Sequence, residues 1–199
     1  MTRSTLVFTF LLGWTSVLAT GASICDGIAG NIVTNCGFET GDFTGWTAVD
    51  GSSNTLVASA FDTGPNSGNS FAALGSVGVD GTVSQTLTTI PGQTYDFSFW
   101  LASDGGLPND FTAQWDGADL VSLAATPATP YVLYSFIETA SSTSTAINFI
   151  ERNDPGFWGL DDVFVVATPE PSNLVECCLL VGLMVVVYKR RRVPVTARR

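Results

Sequence analysis

Thr94-Tyr95-Asp96-Phe97-Ser98-Phe99-Trp100-Leu101 is the stretch on which the fold turns. Side chains of an extended chain point alternately to two faces. Tyr95, Phe97, Phe99 and Leu101 therefore share one face, and Thr94, Asp96, Ser98 and Trp100 share the other. A helical period of 3.6 would scatter the four large apolar residues around an axis instead of lining them up. The first set is core, and the second is polar apart from one tryptophan. The same period of two recurs where Phe111, Ala113 and Trp115 alternate with Thr112 and Gln114, and where Ile147 and Phe149 flank Asn148.

Working outward, strands are predicted at 31–35, 46–49, 55–60, 70–74, 82–89, 94–101, 111–115, 119–123, 131–139, 145–150 and 160–166. Turn formers separate them: Asp50-Gly51, Gly64-Pro65-Asn66, Asp80-Gly81, Pro91-Gly92, Asp104-Gly105-Gly106 and Asp116-Gly117. No amphipathic helix of useful length interrupts the series. Some ten or eleven short strands at this spacing predict an all-β sandwich or barrel over residues 23–167. A domain of that size buries about 70 % of its unfolded surface, enough for a core of its own.

Charge removes whole classes of function. Charged residues are 13 % of the 199, and the net charge is −10. Between Ser23 and Thr168 one arginine, Arg152, faces sixteen carboxylates, a local net charge of −15 that repels a phosphate backbone. Nucleic acid is excluded as a partner. The chain holds no histidine, so Ser-His-Asp catalysis and His-ligated metals are excluded too.

Both ends read as addresses. Arg3 precedes an apolar run over 6–18, and the small residues Ala19-Thr20-Gly21-Ala22-Ser23 follow. That order is a secretory signal peptide, 1–22, with the mature chain beginning near Ser23. At the other end Pro169-Glu170-Pro171-Ser172 precede an apolar segment, 174–188, and then Lys189-Arg190-Arg191-Arg192. Fifteen helical residues span about 22 Å against about 30 Å of hydrocarbon, so this single transmembrane helix is short. The basic cluster keeps its end, with the tail 193–199, in the cytoplasm and places the bulk of the chain outside.

The Pro169-Glu170-Pro171 motif, the short helix and the arginines resemble the PEP-CTERM sorting signal over 168–192. That resemblance implies recognition by an exosortase at the inner membrane. It implies a cell-surface or exopolysaccharide-matrix destination, with anchoring by the helix until processing.

Within the domain, Cys25 and Cys36 lie eleven residues apart in an exported segment. A disulfide between them is expected, worth about 3 kcal/mol in the chain-entropy model. A second resemblance rests on Asn31-Ile32-Val33-Thr34-Asn35-Cys36-Gly37-Phe38-Glu39-Thr40-Gly41, with Phe43 and Gly45-Trp46, and on the closing Leu160-Asp161-Asp162-Val163. These stretches resemble carbohydrate-binding-module and galactose-binding-like jelly rolls. The resemblance implies a jelly-roll β-sandwich and a structural calcium ion shared by Glu39 and Asp161, with the neighbouring Asp162 ranked behind Asp161. Two hydrogen-bonding carboxylates without a metal are the other reading, and both stay open here.

Sugar recognition calls for an aromatic ring under the pyranose, with amides and carboxylates beside it. Trp100, Asp96, Gln114 and Asn148 are the set that alternation places off the core face. A tryptophan covered by a loop or by the second sheet is the competing reading. Catalysis has little to work with. Asp161 and Asp162, adjacent on one strand, are expected to point opposite ways, and Asp116-Gly117-Ala118-Asp119 reads as a hairpin turn. No nucleophile has a base beside it, so the chain is expected not to be an enzyme. The function expected is an exported, non-enzymatic surface or matrix protein that binds a neutral polysaccharide. The runner-up is a purely structural envelope protein, and a polysaccharide hydrolase comes third.

Overall fold

The structure, a computed structural model, describes residues 22–50, 52–60 and 64–169. Nearly all of the expected leader 1–22, the helix 174–188, and Glu170 and Pro171 of the sorting motif lie outside the described residues. Among the described residues no helix is long and apolar enough to cross a membrane.

Among the described residues, ten strands follow one 3₁₀ turn at Ile24–Gly27. They are β1 (Thr47–Val49), β2 (Leu56–Ala58), β3 (Phe71–Leu74), β4 (Gly81–Thr88) and β5 (Thr94–Ser103). After these come β6 (Asn109–Trp115), β7 (Ala118–Ala124), β8 (Thr129–Thr139), β9 (Ser144–Asn153) and β10 (Trp158–Ala167). They form two five-stranded antiparallel sheets of order β1-β4-β9-β6-β7 (sheet A) and β2-β3-β10-β5-β8 (sheet B). The result is an all-β jelly-roll sandwich.

The alternation read from the sequence is what packs the two sheets together. Tyr95, Phe97, Phe99 and Leu101 of β5 are buried, as are Phe111, Ala113 and Trp115 of β6 and Ile147 and Phe149 of β9. Their rings meet across the interface: Phe99 lies edge-on to Phe149 at 5.1 Å between centroids, and Phe97 reaches Trp115 at 5.9 Å. Each such aromatic contact adds about 0.5–1.5 kcal/mol beyond the area it buries. Between β6 and β7 the chain reverses through Asp116 and Gly117, with φ +50° and +85°. Two successive positive φ values fit a hairpin whose turn twists with its strands.

The predicted strand at 31–35 does not form. Side chains take the place of a backbone ladder there. Ile32 N–H donates to Val165 O at 3.0 Å, but Val165 N–H donates to the Asn31 side-chain oxygen. Across the gap, Gln85 of β4 holds both polar groups of Thr34, accepting from its N–H at 2.8 Å and donating to its carbonyl at 3.0 Å. The segment thus runs along β10 beyond the end of β3 and closes the side of the sandwich between the two sheets. Cys25 and Cys36 are joined by a disulfide with Cα atoms 6.0 Å apart, tying the first turn to this closing segment.

Candidate functional site

Register and alternation define the outer face of sheet B. Trp100 stands between Asp161 and Leu133 in one cross-strand row, and Ser98 between Phe164 and Ser135 in the next. Trp100 is half-buried on that face and is not part of the core. Asp96, two residues away, accepts hydrogen bonds from the hydroxyls of Ser98 at 2.6 Å and Ser135 at 3.1 Å. Exposed Leu133 and Ile137 flank the row.

Beyond Trp100 the face opens into a surface pocket of about 480 Å³. Ala102, Ser103 and Asp104 line one side, with Thr129, Pro130 and Tyr131 on the other. The pairing of β5 with β8 slips between Leu101 and Ser103, so Pro130 and Tyr131 together face Ala102. Such a bulge re-aims a side chain. Tyr131 lies half-buried here and its hydroxyl donates to Gly64 O at 2.8 Å, spanning to the loop before β3. Tyr131 was legible as the start of a strand. Its phase depends on the bulge, and no residue in the sequence announces that. Asp104 is largely committed to the loops, accepting from Gly106 N–H, Phe157 N–H and the Asn153 amide.

Gln114 and Asn148 are not part of this face, so the four residues expected to form one binding set do not. They belong to sheet A, whose outer surface is the far side of the sandwich. Alternation tells inside from outside for each strand but not which sheet the strand joins. On sheet A, Thr47, Ser84, Asn148, Gln114 and Asp119 form one register row across all five strands. Asn148 donates to Gln114 at 3.3 Å, and Gln114 donates to Asp119 at 2.8 Å. Thr82, Ile150, Thr112 and Ser122 make the neighbouring row, and neither row contains an aromatic residue. Arg152 lies 3.5 Å from both Asp110 and Asp154 at the end of this face.

Asp161 and Asp162 correct a second expectation. Adjacent strand residues should diverge, but β10 bulges between Asp161 and Phe164, and Asp162 has φ +49°. Both carboxylates, fully buried, therefore grip the same loop. Asp161 accepts from the N–H groups of Asn66 and Ser67 at 2.8 and 3.2 Å, and from Asp162 N–H at 2.8 Å. Asp162 accepts from the Asn66 amide at 2.8 Å, the Ser67 hydroxyl at 2.7 Å, the Ser23 hydroxyl and Cys25 N–H. Burial, and then the charge of Asp162, push the Asp161 carboxyl up to about 8.

Hard oxygen donors suit a calcium ion in kind. Glu39 and Asp161 hold successive stretches of the same loop, Asp161 at Asn66 and Ser67. Glu39 is tied farther along the loop, to the N–H groups of Asn69 at 2.9 Å and Ser70 at 3.0 Å. Every oxygen of Asp161 and Asp162 already accepts from the protein. Among the described residues, the set with ligand atoms within 4.8 Å of one another is Cys25, Asp26 and Cys36, whose two sulfurs are spent in the disulfide.

Comparison with known proteins agrees with this architecture. Residues 30–127 match the family model described as a carbohydrate binding domain. Among solved structures, TmCBM61 in complex with beta-1,4-galactotriose superposes with a TM-score of 0.55 at 19 % identity, covering 69 % of this chain and 99 % of that one. The CBM22-1 xylan-binding domain of Paenibacillus barcinonensis Xyn10C gives 0.51 at 17 % identity, over 71 % and 97 %. The C-terminal family 22 carbohydrate-binding module of Clostridium thermocellum Xyn10B gives 0.53 at 15 % identity, over 69 % and 95 %. No curated protein sequence matches the chain. The domain is thus carbohydrate-binding-module-like, and at these identities the structural likeness concerns the fold.

Proposed function

We propose that this chain is an exported, non-enzymatic protein that binds a neutral polysaccharide at the cell surface or in its matrix. The observation that carries the reading is the outer face of sheet B, where Tyr131, Thr129, Ser103 and Asp104 line an open pocket and half-buried Trp100 stands on the same strand, β5, ahead of it, with Asp96 farther back. A pyranose presents a flat apolar face to an aromatic ring and hydroxyls to its rim, and this strip offers partners for both. Neutrality follows from charge. A domain at −15 repels a uronic-acid-rich chain at low salt.

Affinity electrophoresis of the exported protein in neutral glycans tests the site. Removing a stacked ring should cost about 1–3 kcal/mol of binding, by analogy with stacked bases. Trp100→Ala and Tyr131→Ala should therefore lose most of the mobility shift, with near-ultraviolet circular dichroism otherwise intact. A second reading places the glycan on sheet A, favoured by the five-strand polar row through Asn148 and Gln114. Loss of the shift in Gln114→Ala/Asn148→Ala, with the two aromatic variants unchanged, would select that face. No shift in any glycan would select the purely structural alternative.

The sorting part of the proposal rests on Pro169-Glu170-Pro171 and the short apolar segment 174–188. An exosortase should remove the segment and its basic end in the native host. Mass spectrometry of the surface protein should then lack 189–199, and recovery of the intact end as the main form would overturn sorting without touching glycan binding.

A further inference from the structure

Ser23 is the first buried residue of the described chain: Ala22 is exposed and Ser23 retains 3 % of its surface. That step in burial falls at the leader boundary expected from sequence. The Ser23 hydroxyl donates to Asp162, and Cys25 N–H donates to the same oxygen at 3.2 Å. The Ser23 nitrogen is three bonds from its own hydroxyl oxygen, which bounds its distance from that carboxylate at about 6 Å.

The fold builds this seat from several independent parts. A Cβ at Gly37 would stand 2.1 Å from the Ser23 hydroxyl oxygen and 2.4 Å from its Cβ, so only glycine admits the serine there. The Cys25–Cys36 bridge fixes the chain two residues further on. Facing the serine are Asp161 and Asp162, both fully buried, and the ion pairs found among the described residues do not include either of them. Arg152 is the one basic residue between Ser23 and Thr168, and it is engaged by Asp110 and Asp154. Two adjacent carboxylates buried with hydrogen bonds alone are costly; an opposite charge within reach offsets much of that cost.

We infer that the mature amino terminus, created at Ser23 when the leader is cut, is an ammonium ion that docks against Asp162 and Asp161 and completes the fold. The inference rests on the leader reading: before cleavage Ser23 offers only an amide nitrogen, and after cleavage it offers a unit positive charge at the same place. Export and final stabilisation are thereby coupled, since the chain gains this ion pair only where the leader is removed.

The test uses the chain exported in a host without an exosortase, so that Lys189 is retained. Intact mass should place the start at Ser23. Lys189 is the sole lysine, leaving two amines, and an amine-reactive reagent then reports on each separately. The Ser23 amine should react at least about tenfold more slowly in the folded chain than in urea, while Lys189 does not change, because a paired buried amine opens only on unfolding. A chain released from an amino-terminal fusion with Gly21-Ala22 retained moves the charge two residues outward. Its Tm should fall by about 6 °C or more, with that penalty absent in Asp162→Asn. Equal labelling in folded and unfolded chains, or equal Tm with and without the extension, overturns the pairing. So does a Tm that falls on chelation of calcium and ignores the extension. An exported chain that starts elsewhere overturns the leader boundary, and the fusion-derived chain starting at Ser23 still decides the pairing.

Discussion

Gln85 carries more of the fold than its place on an edge-side strand suggests. Its amide joins sheet A to the closing segment at Thr34, through bonds of 2.8 and 3.0 Å, with Gln85 itself 7 % exposed. Gln85→Leu keeps the apolar stem and removes both bonds. Each is worth about 1 kcal/mol net, and water reaches Thr34 easily enough that no large unsatisfied penalty is added, so the loss should be about 2 kcal/mol. For a domain of this size that is a fall in Tm of about 4–8 °C. Gln85→Ala, which also empties the stem's space, should lose about 3 kcal/mol. Urea denaturation followed by tryptophan fluorescence measures both, because Trp46 packs beside Phe38 and Phe149 under the same segment. Native-state hydrogen exchange at Thr34 should quicken in Gln85→Leu. A change below about 0.5 kcal/mol, with Thr34 protection retained, would refute the claim that side-chain amides replace the missing strand.

Stability should depend on pH in a direction set by the buried acids. Burial, joined by the charge of Asp162, raises Asp161 to about 8, and burial also raises Glu151 despite hydrogen bonds from Thr55 and Ser76. The folded state then holds protons that the unfolded state has released, so stability falls as pH rises from about 4 toward 8. A chain with its amino terminus acetylated should show a Tm higher at pH 5 than at pH 8, and a flat or rising profile there counts against the assignment. Gly106→Ala should lose about 1–3 kcal/mol, since its Cβ would lie 1.8 Å from the Pro155 carbonyl and the two loops must part. An unchanged urea midpoint would show that the loops yield freely.

What the sequence determined by itself was local. Period-two alternation around Phe97, Phe111 and Phe149 is a property of single strands, and it told which side chains enter the core before any pairing was known. Asp116-Gly117 marked its hairpin for the same reason, because left-handed φ values are a cost each residue carries alone. Cys25 and Cys36 were near enough in sequence for a bridge to be expected. What only the tertiary structure decided depended on which strands become neighbours. Trp100 and Gln114 both point outward, yet β5 and β6 enter different sheets, so the whole thickness of the sandwich separates them. Residues 31–35 have strand-like composition, but Asn31 and Gln85 meet their backbone groups with side chains, a competition visible only once β4 and β10 stand on either side. The bulges that aim Tyr131 into the pocket and turn Asp161 and Asp162 onto one loop are register shifts between partners. A register shift belongs to a pair of strands, and neither strand encodes it alone.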